Sequence, residues 1–162
     1  MAHHAGSSRK RVVWGPLDRL AEACKPWVAG WLRLLAPRDF GLRGETAAAR
    51  YLKRRGHKIV ARRHRNRLGE LDLVTVEGRT VVFVEVKSRR SHVAGHPIEA
   101  ISAAKQRKLT QLALAFLKQH GLLENEARFE VVAVTWPENR RKPRIEHFEN
   151  AFEPVGRGQL FS

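Results

Sequence analysis

The run Gly69-Glu70-Leu71-Asp72-Leu73-Val74-Thr75-Val76-Glu77-Gly78-Arg79-Thr80-Val81-Val82-Phe83-Val84-Glu85-Val86-Lys87 decides the fold. β-Branched and aromatic residues fill Val74–Val76 and Val81–Val84. Between them, Glu77-Gly78-Arg79-Thr80 reads as a tight hairpin with Gly78 at the first central position of a type II′ turn. That turn sets a register in which Asp72 lies opposite Glu85, and Glu70 opposite Lys87. Opposed carboxylates destabilise a strand pair, and a divalent cation between them turns that cost into a binding site. Lys87 shares a face with Glu85 because strand side chains alternate. An ammonium there is placed to orient water or to stabilise negative charge developing on a phosphate. The competing reading makes Asp72, Glu85 and Lys87 a solvated face on which Lys87 neutralises Glu85. A three-residue loop would also move Asp72 off that face. The shared face, the spacing of the amino group and the basic chain around them favour the chemical reading.

At 162 residues the chain has room for one domain and a short appendage. A hydrophobic share of 43% supplies a core, whereas a net charge of +15 and a pI near 11.3 call for a polyanionic partner. Nucleic acid is the economical choice and an anionic membrane surface the alternative. Cys24 stands alone and forms no internal disulfide, which suits a reducing cytoplasm. No thiolate spacing suits a structural zinc ribbon. Asp18, Arg19, Glu22 and Lys25 interrupt the residues after Arg9-Lys10-Arg11, so no signal peptide is read there. Trp27 to Leu35, apolar except for Arg33, is too short to span a bilayer. The expectation is a cytoplasmic protein without a transmembrane segment.

Residues 1–40 read as a basic, Trp-rich, partly helical extension with Trp14, Trp27 and Trp31. Its stripe Trp27, Trp31, Leu34 and Leu35 is a packing face, with membrane-surface contact or partner docking as competing roles. Residues 41–153 form the main domain and 154–162 a loose tail. In the domain, a helix over 45–55 buries Ala48, Tyr51 and Leu52, exposes Arg50, Lys53, Arg54 and Arg55, and stops at Gly56. A strand over 57–65 precedes the hairpin, which spans 70–77 and 80–88, and a basic loop follows to Pro97. His92 and His96 are four apart but lie in that loop, so they do not form a helical metal pair. A second helix over 98–120 presents Ile101, Ala104, Leu109, Leu112, Ala113, Phe116 and Leu117 to the core and ends at Gly121. Strands over 128–136 and 144–152 complete the domain. The order αβββαβ plus one strand predicts an α/β fold: a mixed β-sheet flanked by helices.

An acid followed by acid-x-lysine on the adjacent strand, here Asp72 and Glu85-Val86-Lys87, resembles the PD-(D/E)XK nuclease superfamily. The likeness extends to its YraN-like family of small bacterial proteins over residues 43–150. Gly44-Glu45-Thr46-Ala47-Ala48 matches the first helix, and Asn66 to Leu73 the first motif strand. Val82 to Arg89 and Arg128-Phe129-Glu130-Val131-Val132 match the following strands. Leu71 stands where the superfamily often has proline, and Glu130 where the family usually has aspartate.

This resemblance implies a restriction-endonuclease-like core and a Mg²⁺-dependent endonuclease acting on DNA, with branched or damaged forms among the expected substrates. A nuclease fold that binds nucleic acid without cutting it is the alternative. Mn²⁺ is the expected substitute cation, and dimeric relatives in the superfamily put a homodimer among the expectations. By resemblance, Asp72 and Glu85 hold the metal with the carbonyl of Val86, and Lys87 orients the attacking water. Glu45 is either a third acid or a helix-dipole partner, with equal support. Glu70 reads as a partner of Lys87 or of a nearby arginine. Lys105, Arg107 and Lys108 on the second helix, with Arg89 and Arg90, are candidate phosphate contacts. Arg62-Arg63-His64-Arg65 and Arg140-Arg141-Lys142 are further basic runs with weaker positional support.

Overall fold

In the computed structural model, residues 40–90, 101–137 and 142–156 are described. The expected N-terminal extension, the His92/His96 loop, Arg140-Arg141 and the end of the tail lie outside them. The elements are α1 (Phe40–Arg54), β1 (Lys58–Asn66), β2 (Gly69–Glu77), β3 (Thr80–Arg89), α2 (Ala103–Gln119), β4 (Ala127–Thr135) and β5 (Arg144–Phe152). This is the αβββαβ order with one added strand. The five strands form one sheet in the order β1-β2-β3-β4-β5. β3 and β4 run parallel, joined through α2, and every other pair is antiparallel.

The hairpin turn is Gly78-Arg79, and Glu77 pairs with Thr80. Gly78 has φ 56 while Arg79 keeps a negative φ, the pattern of a II′ turn. The alternation along β3 then divides the core in two. Val81 and Phe83 join Leu71, Phe129 and Val131 beneath α2, which contributes Leu109, Leu112, Ala113, Phe116 and Leu117. Val82 and Val84 join Leu73, Val132 and Val134 beneath α1, which contributes Ala48, Ala49 and Leu52. Each large apolar side chain so buried contributes about 1.5–3 kcal/mol. Each helix ends in the paired bonds of a Schellman motif. His57 N–H donates to Leu52 O and Gly56 N–H to Lys53 O, as Leu122 N–H does to Leu117 O and Gly121 N–H to Lys118 O.

Three expectations need correction. α1 begins at Phe40, not at Glu45, so Glu45 falls in the second turn and the first turn carries no acid. Helix-dipole compensation is thereby removed as an account of Glu45. α2 begins at Ala103, because the Ser102 side chain accepts the Lys105 N–H and caps the helix there. Ala104 is exposed and not part of the core. It lies in the first turn after the cap, before the helix settles onto the sheet.

α1 is held close to β3 at Gly44, which is buried. A Cβ added there would stand 1.7 Å from Ser88 Oγ and 2.9 Å from Ser88 Cβ. This contact fixes Glu45, the next residue, beside the far end of β3.

Candidate active site at the open end of the hairpin

The β2–β3 ladder runs from Glu77–Thr80 to Leu73–Val84. The pairs expected beyond it, Asp72 with Glu85 and Glu70 with Lys87, are not part of the ladder. In place of a continued ladder, the Asp72 side chain turns toward β3, where Oδ2 accepts the Val86 N–H at 2.8 Å. Glu70 pairs with Arg65 on β1 instead.

Glu85 continues the face of Val81 and Phe83 and lies beneath the start of α2. Its side chain is only 6% exposed. Oε1 accepts Lys87 Nζ at 2.9 Å and lies 3.2 Å from Lys105 Nζ, while Oε2 is buried with no hydrogen-bond partner among the described residues. Lys105, read from sequence as a phosphate contact, therefore reaches the motif acid itself. Arg107 and Lys108 are exposed on α2. The Arg90 guanidinium stands 5.2 Å from the centre of the Phe40 ring, and the Arg89 carbonyl accepts the Trp136 N–H. Val86 meets the site through its N–H to Asp72.

On the other side, carboxylate oxygens of Glu45, Glu70 and Asp72 lie within 4.8 Å of one another. Glu70 meets two arginines, Arg63 and Arg65, as the sequence suggests, and also joins this group. Its signal was present in the sequence, since residues two apart on a strand share a face. Burial alone would raise the Glu70 pKa, but hydrogen bonds from Arg63 and Arg65 outweigh it and hold the carboxyl below its ordinary value. Asp72 goes the other way. Burial first, and the neighbouring Glu85 second, push its pKa up to about 6 against the N–H of Val86 and the charge of Lys105. The site thus contains a carboxyl that is costly to ionise and a buried carboxylate oxygen without a partner. Oxygen-only donors of this kind suit a hard divalent cation such as Mg²⁺.

β1 carries a distortion at this site. Its register shifts between Ile59 and Ala61, and Arg63 adopts φ 47. That conformation costs a non-glycine residue on the order of 1 kcal/mol. In a regular strand neighbouring side chains point to opposite faces. Here Arg63 Nε lies 3.9 Å from Glu45 and 2.9 Å from Glu70, and the preceding residue, Arg62, also feels the charge of Glu45.

A second group of acids and histidines sits beneath α1, where His57, Glu77 and Glu130 bring ligand atoms within 4.8 Å. Its charges are already matched. The Arg128 guanidinium bonds both Glu77 and Glu130, and His147 Nε2 lies 2.8 Å from Glu130 Oε2. Burial alone would raise the pKa of the fully buried Glu130, but the bonds from His147 and Arg128 bring it below the ordinary value. This group is an internal ion-pair network, and the longer glutamate at position 130 reaches both partners.

Among the described residues, no helix is long and apolar enough to cross a membrane. Residues 44–134 match the family described as uncharacterised protein family UPF0102. The chain is 48% identical over 113 residues to a UPF0102 protein of Geobacter sulfurreducens, covering 70% of this chain and 88% of the relative. A UPF0102 protein of Pelotomaculum thermopropionicum is 46% identical over 112 residues, 69% of this chain and 93% of that one. A relative from Rhodopirellula baltica is 44% identical over 121 residues, 73% of this chain and 72% of its own length.

Proposed function

The chain belongs to UPF0102, the YraN family within the PD-(D/E)XK nuclease-like superfamily, and from that premise we propose a Mg²⁺-dependent endonuclease that hydrolyses phosphodiester bonds in DNA. The observation that carries this reading is the group formed by Glu45, Glu70 and Asp72 where the β2–β3 ladder ends, with Asp72 close enough to Glu85 to feel its charge and Glu85 Oε2 unpartnered among the described residues. Asp72 and Glu85 are the expected metal ligands, with Glu45 as the third acid and Glu70 beside them. A bound divalent cation supplies Lewis-acid polarisation of the phosphate and a water of lowered pKa. The chain's own groups do the rest. Lys87, held 2.9 Å from Glu85, brings positive charge to the phosphate as it gains negative charge. Lys105 on α2, 3.2 Å from the same Glu85 oxygen, does the same. The Val86 N–H fixes one Asp72 oxygen, Oδ2, and so orients the carboxyl group. Arg107, Lys108, Arg89 and Arg90 are the expected contacts along the DNA backbone.

One observation favours a second reading, nucleic-acid binding without cleavage. Glu85 Oε1 is already shared by two lysines and Glu70 by two arginines, so much of the acidic charge is matched without a metal. Incubation of the full chain with linear, flapped and four-way DNA, with and without Mg²⁺ or Mn²⁺, separates the two. The nuclease reading expects metal-dependent cleavage that Lys87→Ala abolishes while DNA binding survives. Binding without cleavage in every metal establishes the second reading instead.

A further inference from the structure

The basic run on β1 divides into residues with different roles. Arg63 and Arg65 are committed to Glu70, and His64 packs edge-on against Phe116 with ring centroids 5.0 Å apart. Arg62 is different. It is half-buried, its Nε is covered with no hydrogen-bond partner, and among the described residues no ion pair holds its guanidinium. Its charged neighbours are Glu45, which favours the cation, and Arg50, which opposes it. A guanidinium deprived of water normally brings its carboxylate with it. Here Glu45 belongs to the acid group and sits beside Arg63. An unpaired, half-covered arginine next to a second arginine is stabilised when an anion arrives, and the fork of Arg matches phosphate oxygens.

We infer that Arg62, flanked by Arg50, is a phosphate subsite beside the acid group, occupied by a backbone phosphate of the bound nucleic acid other than the one at Asp72 and Glu85. This rests on the nucleic-acid reading of the same site and extends it. The strand crosses the α1 side of the cluster at Glu45, as well as passing the basic face of α2. Left-handed Arg63 serves this arrangement by holding Glu70 and Glu45 from the next position, which leaves Arg62 to the ligand.

The test is DNA binding by the full chain, followed by fluorescence anisotropy of a labelled duplex in EDTA across a salt series. Log affinity falls with log salt by about 0.9 per phosphate neutralised. Arg62→Gln is expected to reduce that slope by about one and to melt no lower than the wild type, because an uncompensated half-buried charge has been removed. Arg62→Lys keeps the charge and is expected to keep the slope. An Arg62→Gln slope equal to the wild type, or a lower melting temperature with unchanged binding, overturns the subsite and makes Arg62 structural. If the wild type binds no nucleic acid, the nuclease reading falls and inorganic phosphate becomes the probe. An Arg62-dependent rise in melting temperature then keeps the phosphate subsite, and no rise overturns it as well.

Discussion

Replacing Asp72 by asparagine is expected to stabilise the metal-free protein. In the fold, burial and Glu85 move the Asp72 carboxyl from 3.8 to about 6. At 1.36 kcal/mol per pH unit, holding that group ionised costs the folded state about 3 kcal/mol. The sign follows from proton counts. Between pH 3.8 and about 6 the unfolded chain has released this proton and the folded chain has not. Stability therefore falls as pH rises through that window, and the full cost stands above it. Asparagine keeps an oxygen for the Val86 N–H and removes the charge. Urea unfolding in EDTA should show Asp72→Asn more stable than the wild type at pH 8 by an amount of that order, with the advantage vanishing near pH 4. Mg²⁺ should narrow the gap, because a cation bound to the folded state alone stabilises only the chain that can bind it. Cleavage by the variant should fall to background. A variant equal to or less stable than the wild type at pH 8 in EDTA refutes the reasoning, since Asp72 would then carry no electrostatic cost.

Gly44→Ala drives a methyl into Ser88 and should cost about 1–3 kcal/mol in urea unfolding, with Ser88→Gly restoring much of it. Restoration of activity along with stability would tie the placement of Glu45 to this contact. Glu130→Gln should destabilise the fold by about 3 kcal/mol, since Arg128 and His147 lose a fully buried carboxylate while Glu77 still pairs with Arg128. Its melting temperature should also lose less on acidification than that of the wild type, because a carboxyl with a depressed folded pKa gives stability that is lost as pH falls through that pKa.

The hairpin, the order of the elements and the two helix ends were legible in the sequence because each depends on local rules. Gly78-Arg79 selects the turn and hence the Leu73–Val84 register, while Gly56 and Gly121 stop the helices. Alternation along β3 assigns Val81 and Phe83 to one core and Val82 and Val84 to the other. The same alternation placed Lys87 beside Glu85. It failed at Asp72, where the side chain takes a backbone N–H and the ladder ends. The start of α1 was missed because Phe40 to Arg43 lacks the apolar periodicity that marks Ala48 to Leu52.

What the sequence determined by itself was the set of chemical groups and the strand that carries them: Asp72, Glu85 and Lys87 within one hairpin. Tertiary structure decided which charge meets which. Glu45 joins Glu70 and Asp72 only because Gly44 lets α1 close on Ser88. Lys105 reaches Glu85 only because the start of α2 lies over Glu85 on β3. Among the described residues Arg62 has no ion pair, while the left-handed Arg63 beside it bonds Glu70. Turn chemistry and periodicity act over a few residues and survive in the chain as pattern. Ion pairing depends on distances between segments far apart in sequence, which exist only once both faces of the sheet have packed.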